Sequence, residues 1–264
     1  MAESNVRYEE RFPEEIVSER NKNPVAYLPI GTIEWHGEHN VVGLDAIKAH
    51  NMAIRCAKTS GGLVFPPLYY GEPREDGVME FGGDENNRIK TRMQFPIEDM
   101  QPGYMDEGFT DSDIRYLRLL LHIMREIQSL GFKVIIVIAG HYGVYHHAKA
   151  AVELFQHLQE QPHGGMVGKA AAFATAGMEL IRDDVMPTAG DHAAAWETSL
   201  MMVFRPECVD LSRLPEDPDA ELIGVSGRDP RKNASREYGE EGIRLIVERI
   251  TAKVEELHKG LQKP

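Results

Sequence analysis

The segment LPIGTIEWHGEHNVVGLD, residues 28–45, carries Glu34 and His36 two positions apart and closes on the carboxylate of Asp45. Residues i and i+2 of an extended chain project to the same side, so the Glu34 carboxylate and the His36 imidazole face one space. A second segment, AGHYG, brings His141, and a third, AGDHAAAWETSLMMVF, brings Asp191, His192 and Glu197. Carboxylate and imidazole donors converging from separate segments are what zinc, manganese or iron(II) sites require, and burying them unpaired is costly. Each residue alone says less. A histidine after a strand is more often a cap or a satisfied surface group, Asp191 suits a helix N-cap, and Glu197 suits an acceptor for backbone amides.

The elements around these residues explain how they meet. Four short apolar runs, Val25 to Ile30, Leu63 to Leu68, Val134 to Ala139 and Met166 to Phe173, read as strands buried on both faces. Helical patterns run over Asp45 to Lys58, Asp111 to Leu130, Val144 to Gln161 and Ser235 to His258, and the apolar tail after Glu197 reads as a further core helix. Asp111 and Ser112 are placed to cap the second of these, and Gly131 follows its end. Strands alternating with helices predict an α/β fold with a mostly parallel sheet, in which functional residues gather at the carboxyl ends of strands. Glu34, His36 and His141 all follow strand ends. Residues 71–110 and 205–234, rich in Gly, Pro and charge, read as long loops decorating one domain over residues 1–264. His50, His122, His157 and His258 lie in helical patterns and His163 in a turn, while His146 and His147 read as helix surface.

Composition narrows the function classes. The 264 residues carry a formal net charge of −13, which repels nucleic-acid phosphates and anionic membrane surfaces. No apolar run reaches the length of a membrane span, and the polar, acidic N-terminus does not read as a signal peptide. The two cysteines, Cys56 and Cys208, lie far apart and suit a reducing compartment, so a cytoplasmic location is expected.

The motifs together resemble the creatininase (creatinine amidohydrolase) family. PIGTIEWHGEHNVVGLD is similar to the signature P-x-G-S/A-x-E-Q-H-G-P-H-L-P-x-x-T/V-D, GHYG to N-G-H-x-x-N, HAAAWETS to H-A/G-G-x-x-E-T-S, and GRDPRKNASREYGEEG more weakly to G-x-P-x-x-A-S/T-x-E-x-G. The resemblance implies a three-layer α/β/α sandwich, commonly a homohexamer, with one or two divalent ions (Zn, Mn or Fe) that activate water against a carbonyl carbon. It also implies Glu34, His36, Asp45 and His141 as metal ligands, with Asp45 bridging, and His192 as the proton carrier with Asp191 beside it. Where creatininase has a glutamate ligand two residues after the second-motif histidine, this chain has Gly143, so Glu197 is expected to complete the shell. His39 matches the second signature histidine and reads as a group that orients a ligand or meets substrate, and Tyr142 and Trp196 as pocket walls.

The implied reaction is hydrolysis of a small cyclic amide or formamide, with a cyclic keto-polyol cleaved at a carbon–carbon bond, or ligand binding without turnover, as alternatives. Many relatives carry F-P-G-T-I-S-L between the first two motifs. Here a charged stretch stands instead, with Arg74, Arg88, Lys90 and Arg92 suiting a polyhydroxylated or acidic ligand or simply a solvated face.

Overall fold

A computed structural model describes residues 5–71, 87–95, 109–160 and 169–262. In chain order the main elements are α1 (Pro13–Lys22), β1 (Val25–Ile30), α2 (Leu44–Ser60), β2 (Leu63–Val64), α3 (Arg88–Arg92), α4 (Phe109–Ser129), β3 (Val134–Ala139), α5 (Tyr142–Glu160), β4 (Ala171–Thr175), α6 (Ala195–Phe204), α7 (Pro230–Asn233) and α8 (Arg236–Leu261). The four strands pair in parallel in the order β2-β1-β3-β4. The central pair runs in register from Val25 opposite Val134 to Ile30 opposite Ala139, so both strands end at the same height.

Every residue of β1 and β3 is buried, and successive side chains serve two cores. Val25, Tyr27, Val134, Ile136 and Ile138 pack with Ala49, Met52, Ala53 and Cys56 of α2, Leu200 of α6 and Ile243, Ile246 and Ile250 of α8. Ala26, Leu28, Ile135 and Val137 face Leu120, Met124 and Ile127 of α4 and Ala148, Ala151 and Phe155 of α5. The result is the expected α/β/α layering. From β1 the chain crosses by α2 to β2 on one side, and from β3 it crosses by α5 to β4 on the other, using opposite faces of the sheet. The strand order therefore reverses between β1 and β3, which opens a crevice at their carboxyl ends.

Several boundaries differ from the sequence reading for identifiable reasons. The second apolar run keeps ladder pairing only over Leu63–Val64, because Pro66 and Pro67 have no backbone N–H to donate; Leu68 returns to bridge Ile30. The last strand covers Ala171–Thr175, shifted toward the C-terminus of its expected range, and residues 166–168 lie outside the described set. Helix α4 begins at Phe109, before the expected caps Asp111 and Ser112. Ser235 does cap α8, its hydroxyl accepting from the Tyr238 N–H at 3.1 Å. Within the expected long loops lie the short helices α3 and α7. Arg74 and His163 fall outside the described residues.

Candidate metal centre

Glycine lets three elements close on one another where β1 and β3 end. A Cβ on Gly140 would stand 1.9 Å from the Asp45 carbonyl oxygen, and one on Gly31 would stand 2.4 Å from the Ala46 nitrogen. Both positions need the absence of a side chain rather than unusual backbone angles. The N-terminus of α2 thus wedges between the two strand ends, and Asp45 in its first turn meets Glu34 and His36 from the chain after β1 and His141 from the chain after β3.

The contacts centre on the Asp45 carboxylate, 1% exposed. Its Oδ1 lies 3.3 Å from His36 Nε2, and its Oδ2 lies 3.3 Å from His141 Nδ1. His141 Nδ1 is also 2.9 Å from Glu34 Oε2, and His36 Nε2 is 3.6 Å from Glu197 Oε2. Among the described residues, three groups each bring their ligand atoms within 4.8 Å of one another: Glu34, Asp45 and His141; His36, Asp45 and Glu197; and Glu34, His36 and His192. Asp45 belongs to the first two, one oxygen to each side.

Hydrogen bonding sets these donors for a cation. His36 Nδ1–H donates to the Glu34 carbonyl at 3.1 Å, so Nε2 is the nitrogen that faces the carboxylates. That nitrogen and both Asp45 oxygens are buried and have no hydrogen bond of ordinary geometry. Burial lowers the affinity of His36 for a proton, yet Asp45, Glu197 and Glu34 outweigh it and raise the imidazole to about 9. Burial alone would raise the Asp45 carboxyl, but His36, His141 and Lys48 hold it well below the usual range. The field of the site favours positive charge, and the donor set suits zinc, manganese or iron(II).

His192 stacks beside His36, with ring centroids 4.7 Å apart, and its Nε2–H donates to the Trp35 carbonyl at 2.9 Å. Burial, then His36, lowers its affinity for a proton. Asp191 lines the same cavity and accepts from the backbone N–H groups of Trp196 at 2.7 Å and Glu197 at 3.2 Å, securing the start of α6. Burial, with Glu197 adding to it, lifts the Asp191 carboxyl to about 6. His39 is buried behind the cleft, where its Nε2 and Asn40 share the Thr198 hydroxyl.

A cavity of ≈ 270 Å³ opens on the cluster. Glu34, His141, His192 and Glu197 line it on the polar side, and Met52, Trp196, Leu200 and Ile246 on the apolar side. Tyr142, 48% exposed, borders it, and His39 does not reach it. Arg88 and Arg92 are engaged elsewhere, with Glu221 and Glu38 respectively, and together with buried Lys90 they are absent from the cavity lining. His147 bonds Asp113 at 2.7 Å on the far side of α5, while His50, His122, His146, His157 and His258 join none of the donor groups.

One residue escaped the sequence reading. Lys48 lies one turn beyond Asp45 on α2, lines the cavity, and pairs with Glu197 Oε1, while its Nζ stands 3.5 Å from Asp45 Oδ1. Burial alone would lower the Lys48 ammonium, but Glu197 and Asp45 raise it. The signal was an i, i+3 Asp–Lys pair on the helix that follows the first motif.

The profile of the Creatininase family, described as creatinine amidohydrolase, matches residues 10–95 and 112–254. The chain belongs to the creatininase family. It is 25% identical over 256 residues to the creatinine amidohydrolase of Pseudomonas putida, covering 88% of this chain and 89% of that one. A manganese form of creatininase superposes with a TM-score of 0.69 at 21% identity over 96% of this chain and 99% of that one. A Zn–Zn form of a creatininase mutant gives 0.65 at 21% identity over 97% and 99%. These likenesses establish the shared α/β fold.

Proposed function

We propose that this creatininase-family protein is a metal-dependent amidohydrolase that adds water across the carbon–nitrogen bond of a small cyclic amide or a formamide. Asp45 carries the reading: a buried carboxylate with one oxygen toward His36 and the other toward His141, neither with an ordinary hydrogen bond. Glu34, Asp45 and His141 would hold a divalent ion on one side, and His36, Asp45 and Glu197 form the donor group on the other. When bound, such an ion polarises a carbonyl oxygen and lowers the pKa of water to about 7. Relatives are described in manganese and zinc forms, and iron(II) suits the same donors.

His192 acts as the proton carrier. Its Nε2–H is fixed on the Trp35 carbonyl, so the neutral ring keeps its Nδ1 lone pair, and burial keeps it neutral near pH 7. It accepts the proton released as water adds to the carbonyl carbon and returns it to the departing nitrogen. Asp191, by fixing the start of α6, positions His192 and Glu197. His39 is likewise a positioning residue, tying the chain after His36 to Thr198. Tyr142 borders the substrate space, and Trp196 forms a wall.

The apolar side of the cavity, with Met52, Leu200 and Ile246, favours a compact ring over a polyhydroxylated one. An assembly of six copies follows from the family resemblance. The free thiols of Cys56 and Cys208 support a cytoplasmic location. A panel of lactams, formamides and cyclic keto-polyols, assayed with added Mn²⁺ or Zn²⁺, tests the substrate class. Metal-dependent ring opening of a lactam, or release of formate and the amine from a formamide, is expected. Turnover of the keto-polyols alone would overturn the assignment.

A further inference from the structure

We infer that this protein holds one divalent ion, at Glu34, Asp45 and His141, and that the Lys48 ammonium takes the place of a second. The inference rests on the metal-dependent reading above. Its geometry is that of two cation positions flanking Asp45. On the Oδ2 side lie Glu34 and His141, with His141 Nδ1 within 2.9 Å of one carboxylate and 3.3 Å of the other. On the Oδ1 side the structure already has a cation: Lys48 Nζ is 3.5 Å from Asp45 Oδ1 and is paired with Glu197 Oε1.

Glu197 is committed on that side. Its Oε1 accepts from Lys48, and its Oε2 accepts from the Ala193 backbone N–H at 2.8 Å. A second ion would have to take these oxygens from both donors and settle beside an ammonium that is only 11% exposed. The repulsion between two cations at that separation is poorly screened. Gly143 removes the other means of strengthening that position, since the glutamate that creatininase carries there is absent.

Charge closes on the same count. Glu34, Asp45 and Glu197 are the three carboxylates that border the two positions, and Asp191, on the same cavity, accepts from the N-terminus of α6. One divalent ion plus Lys48 balances those three, whereas two divalent ions plus Lys48 leave an excess of positive charge in a buried space. Lys48 also lines the cavity, so its charge is open to a bound substrate.

The test is metal stoichiometry rather than turnover. Metal-stripped wild type and Lys48→Met are loaded with Mn²⁺ and, separately, Zn²⁺, desalted and counted by inductively coupled plasma mass spectrometry, with folding checked by circular dichroism. The expected counts are about one ion per chain in wild type and about two in Lys48→Met, where the vacated position accepts a second ion. Two ions in wild type would overturn the inference while leaving the hydrolase reading intact. One ion in both proteins would overturn the role given to Lys48. No ion in wild type would remove the metal-dependent reading itself. Should Lys48→Met not fold, Lys48→Gln is counted in its place, and a wild-type count of two remains decisive against the inference.

Discussion

The Nδ1–H of His36 is held by the Glu34 carbonyl, so one hydrogen bond decides which nitrogen faces the carboxylates. Replacing either side of that arrangement has a defined consequence. Asp45→Ala is expected to lose bound metal and activity, and His36→Ala to lose activity while keeping the ion at Glu34, Asp45 and His141; both should retain the far-ultraviolet circular dichroism of wild type, since neither side chain contributes to the two apolar cores. His192→Ala is expected to keep its metal and lose about 10²- to 10⁴-fold in kcat, the usual contribution of a positioned acid–base group. His39 gives a pH signature of its own. Burial holds its imidazole down to about 4, whereas an unfolded histidine titrates near 6.5. Between those values the unfolded chain binds the extra proton, so stability falls as pH drops from ~6.5 toward ~4, by roughly 3 kcal/mol. Urea titrations of wild type and His39→Gln across that range check this, and the variant's acid limb should be shallower. Glu34, His36, Asp45 and His141 were legible in the sequence because acid and imidazole residues rarely gather at strand ends without a purpose. Lys48 was not, because a lysine in an amphipathic helix ordinarily reads as solvated surface. Asp191 shows the opposite: its acidic type drew attention as chemistry, and its hydrogen bonds are those of a helix cap.

Among the elements, the strand ends and α2 carry the site, and glycine sets their separation. Gly140→Ala would drive a Cβ to 1.9 Å from the Asp45 carbonyl, a contact that only backbone movement relieves. It is expected to destabilise the protein by about 1–3 kcal/mol and to weaken metal binding, because the displaced backbone belongs to Asp45. Gly260→Ala, where a Cβ meets nothing within 4 Å, is the control and should be neutral or stabilising. Thermal melts and metal titrations of the pair separate the two effects. The apolar runs of β1 and β3 identified these strands without ambiguity, since each is a six-residue run buried throughout. The run ending at Leu68 misled by hydrophobicity alone, and the two prolines inside it decide against a continuous ladder. Helix α1 was missed for the converse reason: none of its residues is buried, so it has no apolar stripe to betray it.

For the molecule as a whole, the acidic balance, −13 over 264 residues, and a centre rich in carboxylates make the folded chain a better partner for cations than the unfolded one. An ion that binds only the folded state stabilises it by about 2.7 kcal/mol when present at a hundred times its Kd, so Mn²⁺ should raise the thermal midpoint by several degrees and a chelator should reverse the rise. Asp45→Ala should show no such response. The α/β/α layering was readable from alternating strands and helices. The crevice was not, because it depends on strand order, which hydrophobic patterning does not encode. The most direct measurement is an anomalous-diffraction experiment on crystals soaked in Mn²⁺. The expected result is a peak among Glu34, Asp45 and His141, at roughly 2.0–2.2 Å from their ligand atoms. A soaked crystal with no peak there, or with manganese bound only elsewhere, would contradict the assignment of this cluster as the catalytic metal centre.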